Sequence, residues 1–224
     1  RQEGKIRYLG FSFHDDYEVF EEIINSHDWD FCQIQYNYMD TDVQAGDKGY
    51  ALAEQKGIPM VIMEPVRGGL LAGFSDDIEE MFRETRSDQS IASWALRWVG
   101  SHKNVKVILS GMSTPEQVED NLKTFDHFEV LSEKEQDTVK RVVDTLKGRV
   151  QNGCTGCRYC MPCPSGVDIP GSFRIWNDYH IYQRYSFVQN RWEKELSADA
   201  KPENCVECGA CEEQCPQKIS IREH

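Results

Sequence analysis

The stretch GIPMVIMEPVRGGLLAG, residues 57–73, decides how the first two thirds of this chain are read. Gly57 is a natural left-handed stop for a helix, and Pro59 just beyond it cannot continue one. Met60–Met63 is then a four-residue apolar run, too short for a helix and the right length for a strand. Glu64-Pro65 and the glycine pair that follows read as a loop. Helix, strand and loop in that order form the repeating unit of a parallel α/β protein.

The same alternation extends to both sides. Tyr8–Phe13 (YLGFSF), Phe31–Tyr36 (FCQIQY) and Val107–Leu109 (VIL) are further short runs rich in aromatic or β-branched residues. Each is expected to be a strand buried on both faces. Between them lie helical patterns. Asp15 or Asp16 caps one that runs to about Ser26, and a second ends at Gly57. A third covers about Asp88–Gly100, with Ile91, Ala92, Ala95, Leu96 and Val99 on one face. The fourth starts at Thr114, with Pro115 in the first helical position and Gln117 placed to complete a capping box. The fifth, Ser132–Lys147, has its own box (Ser132, Glu135) and a stripe of Val139, Val142, Val143 and Leu146. Four strand–helix units make either a small open sheet or half of an eight-stranded barrel, and periodicity leaves both open.

Composition narrows the function. Of 224 residues, 39% are hydrophobic and 28% charged, enough for a packed core. A net charge of −13 repels phosphate backbones and anionic lipid, so nucleic acid and membrane are poor partners. No apolar run approaches the roughly 20 residues of a membrane span. The chain opens in mid-pattern at Arg1, which reads as part of a longer polypeptide.

Of nine cysteines, Cys32 stands alone inside a strand pattern and the rest lie between Cys154 and Cys215. A disulfide scaffold would spread them, so the loading of one end indicates a metal module on a cytoplasmic globular unit. The texture changes to Cys, Pro and Gly near Val150, giving domains 1–149 and 150–224. An internal repeat lies in the second. Cys154, Cys157, Cys160 and Cys163 are followed by Pro164, and Cys205, Cys208, Cys211 and Cys215 by Pro216. Paired C-x2-C motifs alone also suit zinc, but a triple C-x2-C-x2-C followed by C-P, occurring twice, is typical of iron–sulfur. Gly156 and Gly209 would let backbone N–H groups approach cluster sulfurs. Residues 164–204 between the copies carry rings at every third position: Phe173, Trp176, Tyr179, Tyr182 and Tyr185. That spacing drifts around a helix, so one helix wrapped in rings is expected between the loops.

The repeat resembles the two-cluster ferredoxins, and the long insert is similar to the helical two-cluster domains of some respiratory iron–sulfur subunits. In such proteins the cysteine of the C-P pair ligates the other cluster. The resemblance therefore implies two 4Fe–4S clusters, one on Cys154, Cys157, Cys160 and Cys215, the other on Cys205, Cys208, Cys211 and Cys163.

Polar or turn residues end each strand pattern: Ser12, Gln33, Glu64-Pro65 and Ser110-Gly111. Taken in order, GFS, QIQYNYMD, EPVRGGLLAG and SGMSTPEQVEDN resemble the second half of the aldo/keto reductase barrel over about residues 4–125. With the cysteine tail, the chain is similar to the iron–sulfur branch of that family. The implied fold is α/β, the second half of a (β/α)8 TIM barrel followed by a mainly helical two-cluster ferredoxin-like domain. The resemblance implies an NAD(P)-linked oxidoreductase acting on a small-molecule carbonyl substrate, or passing electrons to a redox partner protein. It implies nicotinamide at Ser12 and Gln33, pyrophosphate along Glu64, Pro65, Val66, Arg67 and Gly68, and adenosine phosphate at Gly111, Gln117 and Asn121. Met63 stands where the family has an aromatic stacking residue and Phe13 where it has Asn, and no basic side chain stands at Gly111 or Gln117. The family's catalytic residues belong to the first four strand units, so none is assigned here; His14 reads as a surface or capping residue. A non-catalytic electron carrier or redox-sensing iron–sulfur protein on a relic barrel is the competing reading, since hydride moves two electrons and a cluster moves one. A half-barrel would also leave its outer strands unpaired and the inner faces of Phe11, Ile34 and Ile62 uncovered, to be met by the missing N-terminal half or by self-association.

Overall fold

A computed structural model describes residues 3–224 and divides the chain into two compact units, the first ending at Val143 and the second running from Asp144 to His224. In the first unit, β1 (Gly10–Ser12), β2 (Phe31–Gln35), β3 (Met60–Met63) and β4 (Val105–Ile108) form one four-stranded sheet in the order β1-β2-β3-β4. All three pairings are parallel. Sequential order with parallel pairing needs a crossover after every strand. Those crossovers carry α1 (Tyr17–Ser26), α2 (Gly46–Gln55), α3 (Asp76–Arg83) and α4 (Ile91–Gly100), while α5 (Pro115–Asp126) and α6 (Glu133–Lys147) follow β4. The sequence reading passed over α3, although Ser75 stands at its N-cap and Arg83 in its last turn. Asp76, Asp77 and Glu79 complement the dipole of its first turn, and Ile78 and Phe82, one turn apart, are its buried face.

The helices bury one face of the sheet. Phe20 and Ile24 of α1, Ala53 of α2 and Val99 of α4 pack on Cys32, Ile34, Met60 and Ile62. Burying each of the larger side chains contributes about 1.5–3 kcal/mol. Burial therefore alternates along β2 and β3, with Cys32, Ile34, Met60 and Ile62 buried and the residues between them partly exposed. This corrects the expectation of strands buried on both faces. It also corrects the inner face: Ile34 and Ile62 are 1% and 0% exposed against the helices. The opposite face carries the row Ser12, Gln33, Val61 and Val107, matched by the strand register. Cys32 is 0% exposed. Burial pushes its thiol up to about 12, so it behaves as a small apolar side chain.

Helix starts follow their caps. Ser90 accepts from the Ser93 N–H at the start of α4. At α5, Thr114 accepts from the Gln117 N–H, while Gln117 Oε1 accepts from the Ser113 N–H at 2.7 Å, one residue earlier than the capping box expected. At α6 the box forms as expected, with Ser132 N–H and Oγ both donating to Glu135 Oε2 at 2.8 Å.

The second unit contains α7 (Ile169–Tyr182), α8 (Tyr185–Glu195) and the short α9 (Ala210–Gln214). The single ring-wrapped helix expected between the cysteine loops is thus two helices. Gln183, at φ 52°, breaks the chain into a left-handed turn after Tyr182. The rings do drift around α7: Phe173 and Tyr182 are buried, whereas Trp176 and Tyr179 are exposed.

Candidate functional site

In the first unit, Ser12 ends β1, and the loops after β2, β3 and β4 lie at the carboxyl ends of the parallel strands, where α/β folds bind ligands. Gln33 Nε2 donates to Ser12 Oγ at 3.2 Å and to Met63 Sδ at 3.5 Å, tying three adjacent strands. Phe13 is buried against Phe20, with ring centroids 5.1 Å apart, so it belongs to the core. His14 is exposed.

The loop after β3 has a distinctive backbone. Glu64, Arg67, Gly68 and Gly69 all have positive φ, at 56°, 49°, 61° and 93°. Two of these are not glycine, so the surroundings must hold them there. The hold comes from the turn after β2, which sequence reasoning passed over. Asn37 and Asp40 are buried at 0% and 4% exposure. Asn37 Oδ1 accepts from the N–H groups of Met39 and Asp40, an Asx turn, while its Nδ2 donates to Asp40 Oδ2 and to the Glu64 carbonyl. Asp40 Oδ2 also accepts from Gln35 Nε2 at 3.1 Å and pairs with Arg67 Nε at 3.0 Å. The N-x-x-D spacing in QIQYNYMD was the available signal. Of the remaining candidates, Pro65 is buried and Val66 partly buried, Gly68 has no atom nearer than 3.8 Å to an added Cβ, and Gly111 faces open space. Gln117 is engaged in its cap, and Asn121 Nδ2 donates to Ser110 Oγ at 2.9 Å. These residues brace the strand ends against one another and leave the backbone of the 64–69 and 110–113 loops on the rim.

In the second unit the eight cysteines line two cavities, four each. One cavity is lined by Cys154, Cys157, Cys160 and Cys215. The larger, about 420 Å³, is lined by Cys163, Cys205, Cys208 and Cys211, with Trp176, Trp192, Arg222 and His224 further along its wall. Each C-P cysteine therefore sits with the other copy's triplet. Ile169, Phe173 and Ile221 line both cavities and form an apolar partition between them. Gly156 and Gly209 have φ of 71° and 79°, the left-handed turns that the tight loops need. Burial pushes the Cys160 and Cys211 thiols up, and neighbouring thiols add to this at Cys160. Metal binding at such thiols must therefore displace protons.

The chemistry of this donor set fits iron–sulfur better than zinc. A single tetrahedral zinc with bonds of about 2.3 Å draws four thiolates onto one point. Among the described residues no three His, Cys, Asp or Glu side chains converge in that way. Four cysteines around a cavity instead match the outward corners of a cubane.

A four-stranded parallel α/β sheet, joined to a unit with two four-cysteine cavities, defines the class as an iron–sulfur protein with an α/β half. Comparison with known families agrees. Residues 1–144 match the aldo/keto reductase family, and this chain belongs to it. Residues 153–219 match the 4Fe-4S dicluster domain. Among solved structures, the holo form of aldo-keto reductase AKR11C1 from Bacillus halodurans is similar at 24% identity and a TM-score of 0.51, over 62% of this chain and 51% of that one. An aldo/keto reductase from Klebsiella pneumoniae, in complex with NADP and acetate, is similar at 25% identity and a TM-score of 0.50, over 63% of this chain and 50% of that one. This chain thus spans about half the length of those structures. No curated protein sequence matches it. Among the described residues, no helix is long and apolar enough to cross a membrane.

Proposed function

We propose that the chain is the cofactor-facing half of an NAD(P)-linked iron–sulfur oxidoreductase of the aldo/keto reductase type, working in the cytoplasm. The observation that carries this reading is the four-and-four grouping of cysteines in a chain whose first unit is a four-stranded parallel sheet. Cys154, Cys157, Cys160 and Cys215 would hold one 4Fe–4S cluster, and Cys163, Cys205, Cys208 and Cys211 the other. Such clusters supply one-electron transfer. The partition of Ile169, Phe173 and Ile221 would keep water from between them, and the exposed Cys157 of the first site and Cys205 and Cys208 of the second would leave both open to a redox partner protein.

On the barrel side, Ser12 and Gln33 would orient the nicotinamide amide. The braced backbone of Glu64–Gly68 would cradle the pyrophosphate, and the start of α5, with Gly111, Gln117 and Asn121 around it, would receive the adenosine phosphate. NADP in the Klebsiella pneumoniae structure supports a dinucleotide here. The proton donor for a small carbonyl substrate would lie on the barrel half that these residues do not supply.

The test is anaerobic reconstitution followed by iron, sulfide and dinucleotide-binding measurements. Two cubanes give near eight iron and eight sulfide per chain. Zinc without sulfide would sink the iron–sulfur assignment. Full clusters without dinucleotide binding, even when the barrel is completed, would favour a plain electron carrier.

A further inference from the structure

We propose that Arg158 and Glu207 set the two clusters at different potentials, the first site higher and the second lower. The inference rests on the two-cluster reading above. The two cysteine triplets share one backbone course. Each turns through two left-handed residues, one before and one after its middle cysteine: Gly156 and Arg158 around Cys157, Glu207 and Gly209 around Cys208. Their φ values are 71° and 63° in the first loop, 55° and 79° in the second. Glycine takes such a turn without strain, and residues with a Cβ do not. Each copy therefore shows glycine serving where the other carries a charged side chain. In the second loop the turn lets the Glu207 N–H donate to Cys205 Sγ at 3.4 Å, a bond that glycine could make as well. Backbone geometry thus gives no reason for Arg158 or for Glu207.

Placement accounts for them. Arg158 lines the first cavity and is the one Asp, Glu, Lys or Arg among the described residues of its wall. Its Nη1 donates to Asp168 Oδ1 at 3.3 Å, and Asp168 stands off that wall. Glu207 lines the second cavity together with Arg222, whose Nε and Nη2 donate to Glu212 Oε2 at 3.1 and 2.8 Å. With or without the partners Asp168 and Glu212, the second site is the more negative by one charge. A third equivalent pair of left-handed turns, Gly166 at φ 81° and Lys218 at φ 55°, lies on neither wall. A cubane on thiolates is an anion that gains a further negative charge on reduction. A cation beside it favours that electron and an anion opposes it. Electrons reaching the second site therefore fall toward the first.

The experiment is a redox titration of the reconstituted 224-residue chain at low ionic strength, followed by electron paramagnetic resonance. Cys157→Ser and Cys208→Ser, one ligand of each triplet, identify which signal belongs to which site. In the unaltered chain the first site is expected to titrate at the higher potential, and the reverse order overturns the proposal. Arg158→Gly and Glu207→Gly remove the charges and keep the left-handed turns. The first midpoint is expected to move negative in Arg158→Gly and the second to move positive in Glu207→Gly. Arg158→Lys keeps the charge and is expected to keep the first midpoint. A glycine variant whose own cluster stays in place, or moves the opposite way, overturns the proposal. So does Arg158→Lys that shifts as Arg158→Gly does. If a glycine variant fails to load its site, Arg158→Gln or Glu207→Gln is read by the same criteria. An unaltered chain that takes up no iron and sulfide removes the two-cluster reading itself, a different failure.

Discussion

The Asp40 carboxylate, 4% exposed after β2, pairs with Arg67 Nε at 3.0 Å in the loop after β3. It thereby couples two neighbouring strand ends across 27 residues of chain. Arg67 has φ of 49° and precedes two further left-handed residues, so the loop is held in place from outside its own sequence. Because Arg67 is partly exposed, breaking the pair is expected to cost about 1–2 kcal/mol, below the 3–5 of fully buried pairs. Urea unfolding of Asp40→Asn, Arg67→Met and the double variant measures it. Additive single effects would mean that the pair contributes nothing.

Glu135 gives a pH-dependent prediction. Burial alone would raise its pKa, but hydrogen bonds from Arg97 and Ser132 outweigh that and hold it near 2, against the usual 4.5. Arg97 Nη1 lies 2.7 Å away, and both side chains are nearly buried. A folded value below the unfolded one stabilises fully above pH 4.5, and the contribution is lost as pH falls from there through about 2. The shift corresponds to about 3 kcal/mol. The stability gap between the unaltered chain and Glu135→Gln should be flat above pH 5 and shrink below pH 4.5. A gap that widens on acidification would refute the pairing as its source.

The partition of ligands is separately testable. Cys215→Ser should damage the cluster of the Cys154 loop and spare that of the Cys205 loop, because Cys215 lines the first cavity. The reverse pattern would mean that each triplet uses its own C-P cysteine.

Assembly follows from the sheet. β1 and β4 each have a neighbour on one side only, and Tyr8, Val107, Leu109 and Met112 are exposed. Open edges and apolar surface of this kind invite pairing. Light scattering is expected to show self-association of the chain alone, relieved when the complementary half-barrel is supplied in trans. A soluble, stable monomer would favour a self-sufficient four-stranded sheet. The same preparation, without its complement, should reduce no carbonyl with NADH or NADPH, and turnover clear of host reductases would overturn that.

The sequence by itself determined several local elements and the iron–sulfur signature of the second unit. Met60–Met63 is a strand with the bounds its apolar run gives, and the Ser132–Glu135 box starts α6, because both depend on neighbours within a few residues. The cysteine repeat was legible for the same reason: its loop spacing is a local property, whatever surrounds it. Three things needed the tertiary structure. Which face of β2 and β3 is buried depends on where the helices lie, and period-two alternation names two faces without choosing between them. The Asn37–Asp40 brace joins residues to Glu64 and Arg67 that are far apart in the chain. The opposite charges of Arg158 and Glu207 stand on different cavity walls only because the folded loops set them there. Spacing along the chain identifies a ligand; which charges stand beside it is decided by packing.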